Sequence, residues 1–316
     1  MGRDCDSDKI RHKNQKSILF LRRLRESLSA EMIKVTSSAD GLHLNFRATL
    51  RGLAIYLDNW AIYDLAEHDP LRRRRFVAGV CSGVADLLLS VTNVAELAGP
   101  QGNSFDAVKK FLNALGPNWF PLELNIFSVL EREQRGKVPP DSCIAEEFMT
   151  AYFQNRNSGC LPGTGKVIDL TQSFYGLGSV LDWMAHRRKW FLDKSGEFDT
   201  RLAEAVYRAR KLKRVPRTDS AFDSARPASF TSTHLIKALI AESGKVKDGD
   251  GLDFFHAVMA SSFASYAALD KHWKRRVEGL PKPNQLARIY SATELDTMVT
   301  DIEHFVNECR SKGVLD

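Results

Sequence analysis

The chain has 316 residues, 43% of them hydrophobic and 27% charged, with 45 basic against 39 acidic side chains and a net charge of +6. Such proportions belong to a folded globular chain rather than a disordered one, and the longest apolar runs, such as 84–91, fall short of the roughly 20 residues that a membrane span needs. Five cysteines, at 5, 81, 143, 160 and 309, form no CxxC pair, which argues for reduced thiols in a cytoplasmic protein and against a zinc site or disulfide frame.

The first 16 residues are polar, carry no apolar signal-peptide core and are expected to form a disordered tail. From Ser17 to Val35, apolar residues recur at helical spacing and predict a helix, while "GLHLNFRA" (41–48) alternates and predicts a strand. Residues 1–50 are therefore expected to be an N-terminal tail and helical extension.

An α/β rhythm follows. "LAIYL" (53–57) reads as a buried strand, 60–85 as one or two helices, and "DLLLS" (86–90) as a second buried strand. "VTNVAELAG" (91–99) reads as a helix capped by Ser90 or Thr92 and stopped by Gly99. From about 103 to 248 helical patterns dominate, broken by Gly/Pro turns, and predict a helical insertion. The rhythm returns with a helix from "DGLDFFHAVMASSFAS", short strands at "YAALD" and "ARIYS", and a closing helix capped by Ser291 or Thr293. Alternating buried strands and helices imply a mostly parallel sheet covered on both faces. The expected organisation is an α/β domain over 51–316, interrupted at about 103–248.

In such sheets the functional crevice lies at the carboxyl ends of the strands. Asp58 ends the first core strand and Asp270 the strand "YAAL"; Glu96 lies in the helix after "LLLS", and Asp253 opens the helix that feeds "YAAL". Any one of these acids could be a helix cap or a solvated carboxylate. Four at one rim would repel one another unless a cation sat among them, and an all-oxygen donor set suits Mg²⁺ or Mn²⁺. Such ions activate water and stabilise the leaving oxygen of a phosphodiester. Asn93, a turn before Glu96, could orient it. His256, a turn after Asp253, could bind phosphate or orient a carboxylate.

Cations cluster at Arg72, Arg73, Arg74 and Arg75, at 186–189 ("HRRK"), and at Arg208, Arg210, Lys211, Lys213 and Arg214. Each cluster alone reads as a solvated helix face; three together suit a phosphate backbone, and the first and last are the candidate nucleic-acid contacts. "GCLPGTGKV" (159–167) lacks the spacing of a phosphate loop, since Cys160 and Val167 occupy its first Gly and its Ser/Thr positions. No GxSxG elbow is present.

The ordered acidic motifs resemble the PIN-domain (PilT N-terminus) family of metal-dependent nucleases. "IYLDNWAIYDLA" is similar to the family's first strand and acid, "LLLSVTNVAELAG" to its second motif with Glu96, and "DFFHAVMASSFASYAALDKHW" to its third and fourth acidic positions, Asp253 and Asp270. "ARIYSATELDTMV" is similar to the last strand and closing helix. The likeness covers 51–100 and 250–305, about a third of the chain. It implies a PIN-like (Rossmann-like) mostly parallel sheet sandwiched by helices, with Asp58, Glu96, Asp253 and Asp270 holding Mg²⁺ or Mn²⁺. It also implies an endonuclease acting on RNA rather than DNA, often a toxin paired with an antitoxin or a defence effector. A non-catalytic PIN-like module that binds nucleic acid or protein is the alternative. Two departures stand out. Trp60 occupies the position two after the first acid, where members often carry a hydroxyl or amide, leaving Asn59 or nothing in that role. The separation of Glu96 from Asp253 requires the intervening segment to be looped out.

Overall fold

The computed structural model describes residues 33–37, 44–99, 102–116, 118–156, 167–168, 177–213, 221–242, 244, 246–247, 249–281 and 285–315. The expected tail (1–16), most of the helix expected at 17–35, residues 159–166 and Arg214 lie outside them. Among the described residues no helix is long and apolar enough to cross a membrane.

The first described elements are β1 (Ile33–Ser37) and β2 (Leu44–Ala48), an antiparallel pair. The strand expected at 41–48 is therefore present, whereas 33–35, expected to end a helix, are the start of β1. Those residues, "IKV", alternate apolar and polar and pair with the equally alternating β2, so cross-strand pairing overrides the helical spacing upstream.

The main body begins at β3 (Leu53–Leu57), every residue of which is buried. Then come α1 (Asn59–Glu67) and α2 (Pro70–Val80), separated because Asp69 caps the second with Pro70 at its first turn. β4 (Ala85–Ser90) follows, again wholly buried, and Ser90 makes a reciprocal capping box with Asn93 at the head of α3 (Val91–Leu97).

The segment expected to be a helical insertion is not wholly helical. After α4 (Asn103–Ala114) the chain forms β5 (Trp119–Leu122), which pairs parallel with β4. Next come α5 (Ile126–Gln134), α6 (Glu146–Arg156), β6 (Val167–Ile168) beside β1, α7 (Leu177–Ala185), the long α8 (Arg188–Lys211) and α9 (Pro227–Ala241). Buried Glu133 of α5 accepts hydrogen bonds from the Ala228 and Ser229 amides, supplying the cap that Arg226 does not. These helices share one continuous hydrophobic core with the sheet, since Val129, Met149, Val180, Leu202 and Leu235 belong to the same cluster as Ile55 and Leu88.

α10 (Asp250–Phe263), β7 (Tyr266–Ala268), α11 (Lys271–Glu278), β8 (Arg288–Tyr290), a 3₁₀ turn (Ala292–Glu294) and α12 (Leu295–Ser311) complete the chain. Gly249 enters α10 at φ 93°, a left-handed conformation that a β-carbon would strain. The central sheet is five-stranded and parallel throughout, in the order β5-β4-β3-β7-β8. It is thus an α/β fold with helices around a parallel sheet, Rossmann-like in layering. The strand order reverses at β3: the chain runs outward through β4 and β5, then restarts on the other side of β3 with β7 and β8.

At the amino edge of this sheet one polar latch is closed. The Arg51 amide and guanidinium bond both oxygens of fully buried Asp86 at 2.5–2.8 Å, and the guanidinium also reaches Asn118 at the entry to β5. Removing one partner of a buried pair strands the other charge, so Asp86→Ala should cost about 3–5 kcal/mol in urea unfolding. A loss below about 1 kcal/mol, the level of a surface pair, would show the latch to be incidental.

Candidate active site

The opposite, carboxyl edge carries the acids. β3 and β7 are neighbours across the reversal of strand order, the place where open α/β sheets leave a crevice. The Asp58 amide donates to the Ala268 carbonyl at 3.1 Å, which fixes the register in which Asp58 and Asp270 leave adjacent strands. Both acids also cap the helices they precede. Asp58 Oδ1 accepts from the Asn59 amide at 2.7 Å, and Asp270 Oδ1 accepts from the His272 and Trp273 amides at 2.6 and 2.9 Å. All these bonds fall on one oxygen of each carboxylate. Capping therefore explains where each side chain starts without using the second oxygen.

Glu96, near the end of α3, and Asp253, in the first turn of α10, come to the same rim. Their electrostatics place them together. Burial pushes Asp58 up to about 6, with repulsion from Asp270 adding to it. Burial and then repulsion from Asp58 and Asp253 push Glu96 up to about 7. Burial and then repulsion from Asp58 and Asp270 push Asp253 up to about 7. Asp58, Glu96 and Asp253 thus each feel another acid of the sequence-derived quartet.

Polar neighbours hold the acids in place. The Asn59 side-chain amide donates to Glu96 Oε2, and Asn93 Nδ2 donates to Asn59 Oδ1 at 3.0 Å. Asn93 is itself pinned, its Oδ1 accepting from the Ser90 hydroxyl at 2.7 Å and the Tyr56 hydroxyl at 3.1 Å. Buried His256 meets the same Tyr56 hydroxyl through Nδ1. Burial depresses the His256 pKa to about 4, so its ring is neutral at pH 7. That corrects the reading of His256 as a phosphate contact: its measurable partner is Tyr56, in the core. The Trp60 indole N–H beside Asn59 is buried without a hydrogen-bond partner among the described residues.

Two participants, Tyr56 and Trp273, carry no signal in the sequence, and a third, Arg188, belongs to the cation cluster at 186–189 that is not among the candidate contacts. The Trp273 side chain hydrogen-bonds the Asp253 carboxylate, lowering its pKa against the larger raising effects. The Arg276 guanidinium lies 4.5 Å from the Trp273 ring centre and is tied to Glu242 at 2.8 Å. Arg188 is the cation whose field lowers Glu96.

The basic clusters divide. Arg72 is bonded to Asp64 and Asp296, and Arg75 to Glu303 and Thr300, so these two staple α1, α2 and α12 rather than offering free charge. Arg210 donates to the Leu239, Ile240 and Gly244 carbonyls at the end of α9, and Arg208 pairs with Glu204. Of the expected nucleic-acid contacts, Arg72, Arg75 and Arg210 have donors engaged inside the fold. Arg73 and Arg74, with Lys110, line a cavity of about 290 Å³ between α2 and α4. Lys211 and Lys213 are exposed at the end of α8.

The donor set fits a hard divalent cation: four oxygen ligands whose mutual repulsion a +2 charge would relieve. Among the described residues no three His, Cys, Asp or Glu side chains are grouped closely enough to hold a metal ion as they stand, so the four acids are donors of the right type rather than a formed site. Mg²⁺ spans gaps of this kind through the waters it retains. No family model matches the chain, and neither a curated protein nor a solved structure matches it.

The raised carboxylates set a pH dependence. An acid whose folded pKa exceeds its unfolded value favours the fold at low pH and penalises it once both states are ionised. For Asp58 the penalty grows from about pH 4 to about pH 6. In chelator, Asp58→Asn, which keeps a capping side chain, should therefore be more stable than wild type by about 1–3 kcal/mol at pH 8. At pH 4 the difference should vanish. Equal effects at both pH values in thermal unfolding would contradict the raised pKa of Asp58.

Proposed function

We propose that the chain is a PIN-like, Mg²⁺- or Mn²⁺-dependent nuclease that hydrolyses phosphodiester bonds of RNA at the rim formed by Asp58, Glu96, Asp253 and Asp270. What supports the reading is that three half-buried acids, Asp58, Glu96 and Asp253, are raised by partial burial and then by repulsion from neighbouring acids at the point where the strand order reverses. Strongly perturbed acids in a crevice mark functional sites more often than structural ones. The sequence motifs that resemble the PIN family name the same four positions.

When bound, the divalent ion supplies Lewis acidity, making a water easier to deprotonate and offsetting charge on the phosphate and its leaving oxygen. The protein's own contribution is positioning. Asp58 and Asp270 are fixed by the helices they cap, so their second oxygens are offered with little rotational freedom. Asn59 holds Glu96 Oε2, which leaves Oε1 as the oxygen free to face the ion or the substrate. Trp273 holds Asp253 from outside the rim.

A non-catalytic binding module would account for Asp58 and Asp270 as caps, but leaves the crowding of Glu96 and Asp253 beside them without a use. The test is cleavage of a mixed panel of RNA and DNA oligonucleotides with Mn²⁺ or Mg²⁺. Asp58→Asn should reduce divalent-dependent cleavage by at least a hundredfold while keeping the wild-type circular dichroism, as expected when a group that holds the catalytic ion is lost. Retained cleavage would exclude the assignment, and wild-type binding without cleavage would favour the binding module. Asn59→Ala, which frees Glu96 without removing an acid, should lower cleavage about 10–100-fold, the usual effect of losing a group that orients a ligand. An unchanged rate would show that Glu96 needs no such support.

A further inference from the structure

Arg188 opens α8, the long helix that packs against both α3, which carries Glu96, and α10, which carries Asp253. Its guanidinium rests on the backbone of Gly99, two residues beyond the end of α3. A β-carbon at Gly99 would lie 2.5 Å from Arg188 Cζ, Nε and Nη2, so this approach exists only because residue 99 is glycine. Arg188 is nonetheless exposed, and it forms no ion pair within 4.0 Å and no hydrogen bond among the described residues. Arg72, Arg75 and Arg276, by contrast, are each tied to carboxylates. The groups whose fields overlap with it are Glu96 and the half-buried Tyr63 of α1.

An exposed guanidinium with its donors free, seated beside an acidic rim, is suited to a ligand that is itself anionic. It offers a planar fork that matches two oxygens of one phosphate, while the neighbouring acids exclude that phosphate unless something cationic helps to hold it. We infer that Arg188 is a substrate contact that grips a backbone phosphate of the nucleic-acid strand next to the carboxylate rim. The inference rests on the nuclease reading for the strand's identity, but not for the contact itself. It also gives the segment between Glu96 and Asp253 a use: α8 delivers a cation to a site otherwise built from the ends of β3, β4 and β7.

The test is equilibrium binding of one single-stranded RNA and the DNA of the same sequence, followed by fluorescence anisotropy across a salt series in chelator, where no divalent-dependent cleavage takes place. Loss of one phosphate contact should weaken binding about tenfold and lower the slope of log K against log salt by about 0.7 for a single strand. Arg188→Ala and Arg188→Gln should both show this, the second preserving most of the packing on Gly99. Arg188→Lys should restore the slope but only part of the affinity, since an ammonium cannot make the two-pronged contact. Wild-type affinity and slope in both neutral variants, or a wild-type protein with no salt-dependent binding to either strand, would overturn the inference. Failure of the nuclease reading looks different: wild type would cut nothing with Mn²⁺ while the Arg188 effect on binding remained.

Discussion

The repulsion among Asp58, Glu96, Asp253 and Asp270 is the constraint around which the rest of the molecule is arranged. Asp58, Glu96 and Asp253, raised by partial burial and then by neighbouring acids, oppose folding at neutral pH. The surrounding structure holds the four acids at the rim by means that do not neutralise them. Two are fixed as helix caps, one by an asparagine pair rooted in Ser90 and Tyr56, and one by the indole of Trp273. The wholly buried strands β3 and β4 form the base from which two of these acids project, so the core's apolar burial offsets the electrostatic cost.

The two edges of the sheet make the point by contrast. At the amino edge a single buried acid, Asp86, is fully matched by Arg51, and Asn118 shares the same guanidinium. At the carboxyl edge several acids share one rim, and the nearby cation, Arg188, touches none of them within ion-pair distance. A fold that matches a buried carboxylate so completely at one edge leaves others without a paired cation at the opposite edge. Unmatched charge of this kind is the usual sign of a site whose partner comes from outside.

Much of this was open to reading in the sequence, for physical reasons that differ by element. Asp58 and Asp270 stand out because an apolar run stops at each, and Ser90 because a hydroxyl precedes a helical pattern. Strand β5 is hidden: it is four residues long, contains Pro121, and survives as a strand because it lies on the sheet's edge, where a missing donor is tolerated. Its concealment leaves the segment after 103 reading as a predominantly helical insertion. The cations are the harder case. "RRRR" suggests a phosphate surface, yet Arg72 and Arg75 are consumed by Asp296 and Glu303 from the last helix, partners no local pattern can announce. Arg188, in the less conspicuous "HRRK", is brought to the rim only by the packing of α8 on α3 and α10. Trp273 is unreadable for the same reason, since its partner Asp253 lies on another helix.

The account therefore stands on one spatial claim, that the four carboxylates converge on a single divalent cation. Anomalous diffraction from crystals soaked in Mn²⁺ tests it directly. The account predicts a manganese peak bounded by Asp58, Glu96, Asp253 and Asp270, lost in Asp270→Asn. A peak elsewhere, or none at the rim at saturating Mn²⁺, would contradict it.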